Sequence, residues 1–284
     1  WTRTNLDYEL PNTARALCFE MADFAAYDLF ILERNGASDC YSDAVIERAT
    51  GRFAEMSVEA RQALEQNIIA GLPGGEGSYD REGIRAEIAR FSELGTDRYR
   101  ANLVTFLEEI VPAAEAAGVV MAIHPDDPPF SLFGLPRVVS TTDDARALLE
   151  AVPSPANGLT MCAGSYGARG DNDLVAMISE FHDRIYFVHL RNIRRADDGS
   201  FFEADHLHGD NDIVGIVNAL LDAEQLRQGL APGRRAIPMR PDHGHTLGAE
   251  QTDEKLRPGY SYAGRMKGLA ELRGVIHALS ATRQ

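Results

Sequence analysis

From residue 118 onward the chain alternates two kinds of segment, and this alternation restricts the fold more than any other feature. Continuous apolar runs occur at 119–124 ("VVMAIH"), 158–162 ("GLTMC"), 184–190 ("RIYFVHL") and 235–240 ("RAIPMR"). Amphipathic stretches at 141–152, 171–182 and 212–226 separate them. A strand with one wet face alternates polar and apolar residues, so an unbroken apolar run of strand length is buried on both faces. Such strands, each followed by a helix, build a parallel α/β sheet. A final helix is predicted over 262–280.

Upstream, Leu103, Phe106, Leu107, Ile110 and Ala114 recur at helical spacing, with Pro112 as a kink and Gly118 as the stop. Residues 57–70 are predicted helical behind Ser57 as N-cap. "GLPGGEGSYD" at 71–80 reads as a connecting loop. Residues 1–50 mix short apolar runs with turns and read as irregular.

The formal charge is −15 and the pI about 4.9. A general nucleic-acid or anionic-membrane binder needs a basic face, so both are excluded as partners. No run reaches the length of apolar residues a membrane span needs. Three cysteines, Cys18, Cys40 and Cys162, form no CxxC pair, which fits a reducing cytoplasm better than a disulfide scaffold.

Each apolar run ends in a residue able to bind a metal: His124, Cys162, His189 and, just past the fourth, Asp242. In an α/β barrel the carboxyl ends of the strands form the mouth where chemistry occurs. Taken singly, each residue has an ordinary role: a hydrogen-bonded histidine, a small buried thiol, a turn-capping aspartate. Donors at the same place in four successive units point instead to one shared centre. Imidazole, thiolate and carboxylate together suit a divalent first-row cation, with zinc, iron, manganese and cobalt all open. A closed structural zinc site is the competing reading.

The stretches "HPDDPP", "NGLTMCAGS", "FVHLRN", "EADHLHGD" and "RPDHG", in this order, with the closing "RPGYSYAGRMKGLAELRG", resemble mannonate dehydratase. The likeness runs over essentially the whole chain, including the opening "WTRTNLDYELPN". It implies a xylose-isomerase-like TIM (β/α)8 barrel. It implies dehydration of D-mannonate, a small sugar acid, to 2-dehydro-3-deoxy-D-gluconate in hexuronate (glucuronate) breakdown. It implies a divalent metal, Mn2+ or Fe2+, on His124, Cys162, His189 and Asp242. His243 corresponds to a proposed acid/base, and Tyr260 to a tyrosine placed to help proton transfer. A homo-oligomer of two or more copies is expected.

Family members carry roughly another hundred residues upstream, with the first barrel strands. Residues 1–284 are accordingly expected to form one domain, the larger C-terminal part of the barrel. About four βα units are visible here, where a closed barrel needs eight.

Other polar residues of these motifs are candidates for contact with substrate. Arg191, two past His189, shares its face on a strand and suits a bidentate grip on a carboxylate, or a structural ion pair. Asp126 and Asp127 are candidates for the substrate hydroxyls or for the surroundings of the metal. His206 and Asp210 are candidates for orienting the metal ligands, with helix capping an equal alternative for Asp210. An aldose–ketose isomerase or epimerase on the same fold is the main alternative, and a cysteine ligand speaks against it. An endonuclease on a related barrel conflicts with the charge. An inactive metal-binding relative conflicts with the retained His243 and Tyr260.

Overall fold

The computed structural model describes residues 1–71, 80–230 and 234–283. Among them are two four-stranded sheets. Strands β1 (Asn5–Glu9) and β2 (Arg15–Phe19) open the chain. Helices α1 (Met21–Ala26), α2 (Asp43–Glu55), α3 (Val58–Ala70), α4 (Arg81–Ser92) and α5 (Gly95–Ala116) follow. Then come β3 (Met121–Ile123), α6 (Thr142–Ala151), β4 (Asn157–Cys162), α7 (Ala163–Tyr166), α8 (Leu174–Glu180) and β5 (Ile185–His189). The chain continues through β6 (Ile193–Arg195), β7 (Phe201–Glu203), α9 (Ile213–Leu226), β8 (Met239–Arg240) and α10 (Tyr262–Ala281).

The four predicted strands pair in parallel in the order β3-β4-β5-β8. This is the α/β arrangement that their apolar runs require, half the number of strands in a closed eight-stranded barrel. Leu159, Met161, Ile185 and Val188 form one buried cluster with α8, α9 and Leu272 of α10. A second cluster packs α5 and α6 beside β3. Ser57, Thr141 and Asp212 cap α3, α6 and α9 by accepting backbone N–H groups. Gly118 takes a φ of +68° after α5 and stops it.

Four expectations are corrected. Residues 1–50 are not irregular: β1 and β2 form a hairpin in a second, antiparallel sheet ordered β1-β2-β7-β6. The strand at 235–240 shrinks to Met239–Arg240, because Pro238 has no N–H to give a ladder. The helix at 171–182 begins at Leu174, where Asp173 caps it. Phe106 is 56% exposed, and Leu107, Val111 and Ala114 supply the buried face of α5. The loop at 71–80 lies, apart from its two end residues, outside the described residues. No helix of the described residues is long and apolar enough to cross a membrane.

Candidate functional site

The parallel sheet brings its carboxyl ends together at one cleft. Cys162 of β4 pairs in register with His189 of β5, and His124 follows the last residue of neighbouring β3. One donor atom from each of the three lies within 4.8 Å of the others. His124 Nε2 stands 3.2 Å from His189 Nδ1. Its other ring nitrogen donates to the Pro125 carbonyl at 2.7 Å, which fixes the ring with Nε2 facing the cluster.

Burial opposes ionisation of the Cys162 thiol, but the Arg191 charge and the imidazoles of His124 and His189 hold it well below the usual thiol range. Burial likewise opposes protonation of His124, and the Cys162 sulfur overrides it and raises this histidine. Two imidazoles and a thiolate with converging lone pairs are a donor set that suits a divalent first-row cation.

Asp242 adjoins this trio. Its Oδ2 lies 3.5 Å from His189 Nδ1, and its Oδ1 accepts from Arg240 at 2.7 Å. Its backbone takes a φ of +65°, a left-handed geometry that aspartate tolerates better than most residues. His206 is buried below it and donates Nε2–H to the Pro241 carbonyl at 3.0 Å, steadying the turn that carries Asp242. Burial lowers the pKa of His206, which keeps the ring neutral for that bond.

His243 follows directly. Its ring meets that of Tyr260 edge-on at 5.2 Å between centroids. The Gly244 N–H donates to the Gly259 carbonyl at 2.9 Å, so the two loops that bear His243 and Tyr260 are tied together. A side chain at Gly244 would strike the backbone of α10, so glycine is required for this approach.

Behind His243 lies a buried charge cluster. Arg191 Nη1 contacts Asp127 Oδ2 at 2.8 Å, and its Nη2 donates to Ser165 Oγ at 3.2 Å. Arg3, fully buried, donates to Asp127 at 2.8 Å and to Glu203 at 2.9 Å. Glu203 Oε1 lies 3.1 Å from His243 Nδ1. Burial would raise Glu203, but Arg191, His243 and Arg3 bring it down to about 2. Gly164 allows the packing, since a Cβ there would collide with the Arg191 guanidinium.

The cleft itself holds about 300 Å³ and is lined by His124, Asp127, Arg137, His189, Arg191, Arg240, Asp242, His243 and Tyr260, among others. A pocket of that size takes a six-carbon acid. Three predicted residues stand apart from it: His206, at the turn that carries Asp242, and the acids Asp126 and Asp210. Asp126 accepts from Val138 N, Val139 N and Ser140 Oγ and anchors the loop after β3. Asp210 accepts from Arg194 and from Arg195 N, and the cap of α9 is Asp212. Arg191 reaches the cleft, yet its guanidinium is taken up by Asp127, Ser165 and Glu203. Sequence reasoning missed Glu203, Arg3 and Arg137. Glu203 opens the quoted "EADHLHGD", and its position at a strand end is the one signal that marks it.

Comparison with known proteins agrees with this geometry. The family profile of D-mannonate dehydratase (UxuA) matches residues 1–284. A mannonate dehydratase of Saccharophagus degradans is 66% identical over 279 residues, 98% of this chain and 70% of that protein. Mannonate dehydratase 2 of Agrobacterium fabrum is 58% identical over 280 residues, again 98% and 70%. The crystal structure of mannonate dehydratase from Streptococcus suis serotype2 superposes with a TM-score of 0.65 at 29% identity, covering 100% of this chain and 63% of that one.

Proposed function

The chain belongs to the D-mannonate dehydratase family, and from that membership we propose that it removes water from D-mannonate to give 2-dehydro-3-deoxy-D-gluconate. The chain spans about two thirds of the length of the relatives it matches. The observation that supports the proposal most is the convergence of His124, Cys162 and His189 at the cleft that His124 and His189 line together with His243 and Tyr260. We assign these three donors, with Asp242 as the fourth, to one divalent cation, Mn2+ or Fe2+. When bound, that cation supplies Lewis-acid stabilisation of negative charge on the substrate.

The protein's own groups account for the proton movements. The C2 proton, next to a carboxylate that is already negative, is removed by a base in the cleft. The C3 hydroxyl leaves as water after taking a proton from an acid. The resulting enol then gives up its C2 O–H proton, gains one at C3 and becomes the 2-keto acid, so one water is lost in all. His243 and Tyr260 are the pair we assign to base and acid, since their rings adjoin in the cleft. Arg137 serves the substrate carboxylate. Among the described residues its carboxylate partner is Asp126, 3.7 Å away, and Arg137 lines the cleft. A reducing, cytoplasmic setting fits an enzyme that keeps Cys162 as a thiolate ligand.

The test is to strip the protein of metal without oxygen and add back Mn(II), Fe(II) or Zn(II) with D-mannonate. Formation of the 2-keto product with one ion, and none after chelation, is the expected result. Stoichiometric metal without product would reject the assignment.

A further inference from the structure

Glu203 reaches the cleft only through another residue. It ends β7, its side chain is 4% exposed, and its Oε1 lies 3.1 Å from His243 Nδ1. A second group competes for the same ring nitrogen, because Arg191 Nη1 stands 3.3 Å from it. The two neighbours require opposite states. A carboxylate only accepts, so Nδ1 must carry a proton to bond Glu203; a guanidinium only donates, so Nδ1 must be bare to bond Arg191.

The surroundings decide between them. Arg191 Nη1 already donates to Asp127 Oδ2 at 2.8 Å, and Nη2 to Ser165 at 3.2 Å, so this guanidinium has other acceptors. A proton on Nδ1 has Glu203 as its near acceptor. Were Nδ1 bare, its lone pair would face the Glu203 oxygen at 3.1 Å with no proton between, two acceptors opposed in a buried place.

We infer that Glu203 is a positioning residue that fixes His243 as the Nδ1–H tautomer and leaves Nε2 bare on the side of Asp242. The inference rests on the reading of His243 as a group that moves a substrate proton. Nε2 is 3.8 Å from Asp242 Oδ2, too far for a hydrogen bond, so that nitrogen is not committed there. A ring held this way takes a proton on Nε2, and Glu203 then stabilises the imidazolium. The antiparallel sheet thereby acquires a function. It delivers Glu203 from β7, and Arg3 from the lead into β1, to the back of a histidine that belongs to the parallel sheet.

The tautomer is read directly by nitrogen NMR of protein labelled with ¹⁵N-histidine, with His243 assigned by comparison with His243→Gln. Spectra are taken at a pH where the ring is neutral, both without added metal and with diamagnetic Zn(II). The expected result is a protonated Nδ1 and a bare Nε2. In Glu203→Gln the amide can turn its NH2 to the ring, so the proton should move toward Nε2. Turnover of D-mannonate should then fall by about 10²- to 10⁴-fold. KM and bound metal should hold, which a merely structural defect would not allow. Glu203→Asp should recover the Nδ1–H state. A proton on Nε2 in the wild-type ring overturns the inference whether or not any variant folds, and so does wild-type turnover by Glu203→Gln. If the wild-type protein never dehydrates mannonate, the proposed function fails, while the NMR still decides the role of Glu203.

Discussion

Cys162 and His189 are register partners on adjacent parallel strands, β4 and β5, so their side chains leave the sheet at one level and on one side. Parallel pairing without an offset turns residues far apart in the chain into neighbours at the same height. The thiolate is the softest donor of the group, and Arg191 and two imidazoles already favour its ionised form. Cys162→Ser should lower metal affinity by more than the 10- to 100-fold typical of losing a ligand's hydrogen-bond partner. Elemental analysis after dialysis against a chelator checks this. Retention of stoichiometric metal would remove Cys162 from the ligand set.

The three strand-end donors were legible because a continuous apolar run announces a buried strand and its last residue announces the mouth. The antiparallel sheet was not legible. β6 and β7 have three residues each, too short for any period to emerge. β1 reads "NLDYE", polar enough to pass for a turn, because only part of it is covered. Arg3 and Glu203 were lost with that sheet, since their importance comes from contacts across more than a hundred residues of chain. Asp126 and Asp127 show the limit from the other side. They are adjacent and chemically alike, yet one anchors a loop and the other joins the charge cluster, and only the path of the chain separates them.

Arg137 is predicted to act in binding and not in the chemical step. Arg137 lines the cleft with a loose contact to Asp126 among the described residues, whereas Arg191 is held by buried partners. Loss of a charge-assisted hydrogen bond costs about 1.5–3 kcal/mol, a factor of roughly 10 to 100. Arg137→Met should therefore raise KM for mannonate by about that factor with kcat little changed, the pattern of an interaction equal in ground and transition states. A fall in kcat at constant KM would show that Arg137 works on the reaction itself.

Asp127 joins two buried guanidiniums, Arg3 and Arg191, at 2.8 Å each. Its replacement by alanine leaves two buried guanidiniums sharing one carboxylate, Glu203, so one of the two charges is stranded. Removing one partner of a buried ion pair costs about 3–5 kcal/mol, so Asp127→Ala should lose stability of that order in urea unfolding. Arg3→Met with Asp127→Ala should recover part of the loss, because one stranded charge is then gone. Additive losses in the pair would mean that the two side chains are not coupled.

Gly164 provides a check on the same cluster from the backbone side. Its ideal Cβ would overlap the Arg191 guanidinium, which is buried and bonded on several sides and has little room to retreat. Gly164→Ala should cost about 1–3 kcal/mol as an overpacked site and should displace Arg191 from Ser165. A variant as stable as the parent would show that the guanidinium yields freely.

Acid should weaken the fold through Glu203, and the direction follows from its pKa. The folded protein holds this carboxyl at about 2, below its ordinary value of 4.5, because Arg191, His243 and Arg3 outweigh the cost of burial. A carboxyl depressed by folding contributes stability that is complete above the unfolded value and is lost as the pH falls toward the folded one. For Glu203 the window runs from about 4.5 down to about 2. A depression of this size corresponds to something on the order of 3 kcal/mol. Urea unfolding of wild type and Glu203→Gln should be compared at several pH values between about 6 and 2.5. The difference in stability between them should stay constant down to about pH 4.5 and narrow below it, since only the wild type has this proton to gain. A constant gap throughout would mean that Glu203 keeps an ordinary carboxyl pKa in the fold and that Arg3 and Arg191 do not hold it charged.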